Sequence, residues 1–220
     1  MKRNNESMGS VFLPLRPLLV CLILFFLQVP LSGDERLAWE SDLDSALKKA
    51  AHRGKPMLIS MHTSTETACV RMLNVVFGDR TVRTRLKDFV LLPTCMDEHA
   101  EVVADVDGTE RSVSVLFGTV DCKTLVANEK AVRARFFNSS VVKVPQHLFV
   151  DVQPDGEWRI VEQKVYELSK SRFVDLLEEV LVVHGALRVG GLPDHLKDLF
   201  ETVRKGALSK INSIESVRGD

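Results

Sequence analysis

The stretch KPMLISMHTSTETACVRM, Lys55 to Met72, decides how this chain is read. Met57 to Met61 is a short apolar run that suits a strand buried on both faces. From Glu66 to Phe77 the pattern is helical, and Gly78 closes it. The polar residues between the two segments form the joining loop. A helix begins with unpaired N–H groups and the positive end of its dipole, so its first residues sit in a field that favours negative charge. Here that place is taken by Glu66-Thr67-Ala68-Cys69, a carboxylate followed by a single thiol.

The flanking sequence alternates between helices and strands. Ser41-Asp42-Leu43-Asp44 reads as an N-cap at Ser41 with an acidic residue three positions later. Leu43, Ala46, Leu47 and Ala50 then recur at helical spacing up to Gly54. Beyond Gly78, Asp79 caps a short helix through Leu86, and Phe89 to Leu92 is a second buried strand. Glu101 to Glu110 is acidic and contains Asp-Gly, which marks a loop or small hairpin. Asp121 to Phe137 reads as an amphipathic helix, and its Phe136 and Phe137 as packing residues. Val144 to Val152 is a third strand, Gln153-Pro154-Asp155-Gly156 a turn, and Trp158 to Val165 a fourth strand. Ser169 to Leu187 is the longest helical pattern, with Leu176, Leu177, Val180 and Leu181 as a core stripe. After Gly190-Gly191, Pro193 to Lys205 predicts one more amphipathic helix, followed by a polar tail.

Composition narrows the function. The chain has 220 residues, 45% of them hydrophobic, and a net charge of −1. That is enough apolar material for a core, and no global field draws the chain to nucleic acid or anionic lipid. Lys2, Arg3 and Arg16 precede the apolar run Leu18 to Val29, and Pro30-Leu31-Ser32-Gly33 leads to the charged Asp34-Glu35-Arg36. This reads as a secretory signal over residues 1–33, with an uncleaved anchor helix from about Val11 as the alternative. Leu31-Ser32-Gly33 opens like a lipoprotein box, but Asp34 stands where the lipidated cysteine belongs. Cys21 lies in the apolar run, so export leaves Cys69, Cys95 and Cys122 in a compartment that permits disulfides. An odd set leaves at least one thiol unpaired. Asn138-Ser139-Ser140 matches a glycosylation sequon, which matters only in a eukaryotic secretory pathway. No phosphate loop, dinucleotide fingerprint or HExxH motif is present.

Strand, helix, strand, helix, then a hairpin and a final helix describes an α/β sandwich around a mixed sheet. With Val144-Pro145 before a strand and the Pro-Asp-Gly turn after it, the chain resembles the thioredoxin family over roughly Trp39 to Leu187. The resemblance implies a three-layer α/β/α sandwich over residues 34–190. It also implies an insertion over about 95–128, before a strand preceded by a cis proline at Pro145. Residues 191–220 are expected to form a helical extension and tail beyond it. In that family two thiols at i and i+3 on a helix N-terminus run disulfide exchange, the first attacking and the second resolving. The resemblance places Glu66 at the attacking position and Cys69 at the resolving one. A carboxylate cannot exchange disulfides, so Cys69 reads either as a lone redox or ligand thiol or as a small buried residue.

The same layout makes strands 57–61 and 89–94 parallel, with their carboxyl ends at one edge, where open α/β sheets bind ligands. That edge would gather His62, Glu66 and Cys69, together with Cys95 and His99. Pro145 and His147 approach it from the following strand, unless strand alternation turns His147 to the other face. The set allows a Cys69–Cys95 disulfide, or a metal held by Cys69, Cys95 and His99. Cys122 is placed to pair with Cys95 or to stand alone at a helix start. The sequence implies no cofactor. The leading expectation is an exported binding or assembly module at the cell envelope, periplasmic or secreted, that holds a protein or peptide on the Pro145 edge. Membrane attachment would come only through the N-terminal segment. The alternatives are a noncanonical oxidoreductase using Cys69 alone or with Cys95, and a metal carrier at the same edge.

Overall fold

A computed structural model describes residues 36–137 and 142–188. The N-terminal apolar segment, the sequon at Asn138 and the helix expected after Gly191 lie outside the described residues. Strand β1 (Met57–His62) is buried at every position, as a strand covered on both faces must be. It pairs in parallel with β2 (Val90–Cys95), in a register that sets His62 opposite Cys95. On its other side it pairs antiparallel with β5 (Gln146–Val152), which continues to β6 (Trp158–Val165), so the mixed sheet runs β2-β1-β5-β6. β2 runs through Pro93 because that residue's backbone faces the open side of the strand. Among the described residues only the isolated Trp39–Leu91 bridge occupies that side, so the missing proline N–H breaks no ladder there.

Helices cover both faces. α1 (Leu43–Arg53) is capped by Asp42 rather than Ser41: the Asp42 carboxylate accepts from the Ser45 N–H at 2.8 Å, while the Ser41 hydroxyl donates to Asp42. Gly54, at φ 61, ends α1 in the left-handed conformation that favours glycine. The expected helix from Glu66 to Phe77 is divided. α2 (Thr67–Arg71) passes into a π-helical turn over Met72–Val76, closed by a Phe77 N–H to Met72 carbonyl bond of 2.9 Å. Gly78 follows without a side chain because a Cβ there would lie 2.3 Å from the Asn74 carbonyl oxygen. Asp79 caps α3 (Arg80–Leu86) as expected, accepting from the Thr81 and Val82 N–H groups.

Between β2 and the next helix stands a separate hairpin, β3 (Glu101–Val106) and β4 (Thr109–Ser114). Its turn residues Asp107 and Gly108 have φ of 54° and 78°, the left-handed pair that a two-residue hairpin loop demands. α4 (Cys122–Phe136) starts at the Asp121 cap, and α5 (Lys170–Arg188) carries the Leu176, Leu177 and Val180 stripe into the core. One core lies between the sheet and α1 with α4, built from Met57, Ile59, Leu92, Leu148 and their neighbours. The other lies beneath the π turn and α5, built around Leu58, Phe77, Phe149 and Phe173. Phe136 packs on Trp158 with ring centroids 4.5 Å apart. Among the described residues no helix is long and apolar enough to cross a membrane.

Candidate functional site

The carboxyl ends of β1 and β2 open into two adjoining loops. In the first, Glu66 occupies the N-cap of α2 but makes no side-chain cap bond, and it faces solvent. Cys69 is fully buried beneath it. The Cys69 sulfur receives the Thr63 N–H at 3.4 Å, and the Glu66 N–H is held by the Thr63 hydroxyl at 3.3 Å. Burial raises the Cys69 thiol above its ordinary range, outweighing the Thr63 bonds, and the nearby Glu66 and Asp97 charges push it further the same way. A thiol held protonated is a poor nucleophile.

Two of the three imidazoles expected at this edge are not exposed on it. His62 and His147 both lie in the core with no exposed surface. Strand register explains this. Ser60 and His62 share one face of β1, and Ser60 lies opposite His147 on β5, so all three point beneath the π turn. The Ser60 hydroxyl bridges His62 Nε2 at 2.7 Å and His147 Nδ1 at 3.1 Å. The hydroxyl has a single hydrogen to give, so at least one of the two rings donates to it. The rings of Phe77, Phe117 and Phe173 enclose the pair. Burial holds His62 well below the usual histidine range, with its neighbour His147 adding to the effect, and burial brings His147 down to about 3. Both rings are therefore neutral fixtures of the core. The Val144–Pro145 peptide is cis, and the Pro145 carbonyl accepts from the Tyr166 N–H at 2.7 Å.

The second loop collects what the first lacks. Cys95, Asp97 and His99 each offer one donor atom, and these atoms lie within 4.8 Å of one another. The Cys95 thiol donates to Asp97 Oδ1 at 3.2 Å, and burial pushes that thiol up to about 12. Asp97 also spans the two loops, accepting from the Ser64 N–H at 2.9 Å and from the Ser64 hydroxyl. Burial works against its charge, but the Ser64 bonds prevail and hold the carboxyl below its usual range. Cys122, the first residue of α4, joins from the far side of the hairpin: its sulfur receives the His99 N–H at 3.2 Å and lies 3.6 Å from His99 Nδ1. Glu101 accepts from the Cys122 N–H and from the Ser112 hydroxyl, and these bonds hold its carboxyl low. Cys69, Cys95 and Cys122 are all free thiols. The fold thus joins Cys95 and His99, as expected, and adds Asp97 and Cys122. Among the described residues the compact donor group consists of Cys95, Asp97 and His99; Cys69 is not in it, and Cys122 touches it only at His99. Asp97 stood in plain view as the middle of Cys95-x-Asp97-x-His99; the expectation read only the outer two.

The chain matches the thioredoxin-like family model over residues 38–152 and belongs to that family. A thioredoxin from Thermus thermophilus is similar at 20% identity, with 68% of this chain and 91% of that one covered and a TM-score of 0.47. A DsbH oxidoreductase is similar at 12% identity, covering 82% and 96% with a TM-score of 0.47. A thioredoxin-fold protein from Helicobacter pylori is similar at 12% identity, covering 71% and 86% with a TM-score of 0.40. No curated protein matches the chain.

Proposed function

We propose that this protein is an exported thioredoxin-like module that holds a protein or peptide partner at the cell envelope and does not run a two-thiol redox cycle. The observation that carries the proposal is the pairing at α2: an exposed carboxylate stands at the attacking position, and the one thiol of that helix is sealed in the core. Disulfide exchange requires an accessible thiolate, and burial opposes that state at both Cys69 and Cys95. The surface available to a partner is the solvent-facing start of α2 together with the hairpin. Val102 and Val103, on opposite faces of β3, are 49% and 72% exposed, so neither face of that strand is covered.

Two measurements test this. Insulin reduction in the presence of a chemical reductant should run at the rate of the reductant alone. Photocrosslinkers placed at Glu66 and at Val103 should trap the same partner in the native host, and Cys69→Ser should retain it. Wild-type turnover that disappears in Cys69→Ser would instead establish a one-thiol oxidoreductase and overturn the proposal.

A further inference from the structure

The corner between β2 and α4 holds two thiols, an imidazole and a carboxylate from three separate elements, an arrangement that the binding proposal does not use. We propose that Cys95, Asp97, His99 and Cys122 form a tetrahedral site for a borderline-soft divalent transition metal of the zinc class. The inference is independent of the partner-binding reading.

The donor spacing supports it. Zinc takes thiolate sulfur at about 2.3 Å and nitrogen or oxygen at about 2.0–2.2 Å, so neighbouring donors in a tetrahedral shell lie about 3.3–3.8 Å apart. Here Cys95 Sγ and Asp97 Oδ1 are 3.2 Å apart, and Cys122 Sγ and His99 Nδ1 are 3.6 Å apart. Cys95, Asp97 and His99 offer donors that lie within 4.8 Å of one another; Cys122 stands outside that group and reaches it through His99, so binding draws its sulfur inward as the fourth ligand. Two thiolates with one nitrogen and one oxygen select zinc or cobalt over magnesium or calcium, which require all-oxygen shells.

The surroundings orient the donors. The Ser114 hydroxyl already accepts from the Leu116 N–H at 3.0 Å, and its second lone pair can accept from His99 Nε2–H. Before binding, however, His99 Nδ1 lies 3.1 Å from the Asp97 carbonyl, which can only accept, so Nδ1 carries the ring proton; metal binding shifts that proton to Nε2 and frees Nδ1. Ser64 fixes Asp97 from the neighbouring loop, and Glu101 fixes the backbone of Cys122. Such outer partners set the direction of metal ligands. Cys95 and Cys122 are buried, whereas Asp97 and His99 are half-exposed, so the ion enters past the carboxylate and the ring. On binding, two S–H bonds give way to two metal–sulfur bonds, and the two protons pass to the buffer.

The test is a cobalt(II) titration of the full chain, stripped of metal and kept reduced with a phosphine. The expected result is one ion per chain, with thiolate-to-cobalt charge-transfer absorption and a tetrahedral ligand-field spectrum, displaced by zinc(II). Cys122→Ser and His99→Ala should each weaken binding by roughly a hundredfold or more, beyond the 10–100-fold typical of outer-shell changes. Cys69→Ser should leave it unchanged. Circular dichroism of the metal-free variants reports whether they fold. X-ray absorption at the zinc edge of the wild type counts sulfur ligands without any variant, and two sulfurs are expected. Absence of saturable binding, an octahedral all-oxygen spectrum, a single sulfur, or loss of binding in Cys69→Ser would each overturn the site.

Discussion

Two loops leave the same edge of the sheet, one after β1 and one after β2, and they treat sulfur in opposite ways. The β1 loop buries Cys69 at the start of α2 and gives it only the Thr63 backbone and hydroxyl as polar neighbours. The β2 loop surrounds Cys95 and Cys122 with a carboxylate and an imidazole. His62 and Cys95, the last residues of the paired strands, stand side by side in register, so position in the sheet does not separate the two loops. Their partners do. Burial pushes both Cys69 and Cys95 up, so protonation does not separate them either; Cys69 has only Thr63 beside its sulfur, whereas Cys95 and Cys122 each face a side chain able to share a ligand.

The comparison breaks most decisively if the first loop can be restored. Glu66→Cys supplies the missing thiol at the helix N-terminus and should raise insulin reduction roughly tenfold or more above background, because the helix end favours an exposed thiolate. No gain would mean that the loop geometry, and not the missing thiol, prevents exchange.

Acid is the next lever. His62 and His147 are held neutral in the fold, with folded values below the ordinary histidine value, so the unfolded chain binds more protons as pH falls below about 6.5. Stability is therefore fully present above that value and declines as pH falls toward the folded values. His147, brought down to about 3, should by itself cost roughly 2 kcal/mol between pH 7 and pH 5, and His62 adds a cost of the same sign. Urea denaturation at the two pH values measures this, and His147→Leu should remove the His147 share of the dependence. A flat profile would show that the rings are not neutral fixtures. The carboxylates held low, Asp42, Asp79, Asp97, Glu101 and Asp121, lose their hydrogen-bonded stabilisation only at lower pH, as protonation overtakes them.

Smaller effects sharpen the contrast. Cys69→Ser places a hydroxyl in an apolar setting and should cost about 1–3 kcal/mol in denaturant titrations without affecting cobalt binding. The helix caps then divide the two loops by about 1 kcal/mol. Asp121 accepts from the Thr124 N–H at 2.8 Å and from its hydroxyl, so Asp121→Ala should cost about 1 kcal/mol. Glu66 makes no cap bond, and Glu66→Ala should stay within about 0.5 kcal/mol of wild type. Equal losses in the two variants would remove the distinction between the helix starts.

Most of the framework was legible in the sequence because it is written in local patterns. The apolar run Met57 to Met61, the Asp79 cap, the Asp-Gly turn and the stripe along α5 each depend on neighbours a few residues away. The expectations failed where tertiary contacts override such patterns. A π turn replaces the second half of the helix after Arg71, beside the ring cluster that receives Phe77. The histidines were assigned to the correct strands but to the wrong depth. Their burial depends on Ser60 meeting His147 across 87 residues of sequence.

By itself, the sequence determined the family layout, the carboxylate at Glu66 and the single thiol Cys69 three residues on, since each is a matter of residue identity and short-range spacing. Only the tertiary structure decided which side chains face one another. It placed His62 and His147 in the core, left Cys69 outside the donor group, and brought Cys122 against His99 across the hairpin. Strand register and hairpin closure set those meetings, and both are properties of the assembled sheet that no single segment specifies.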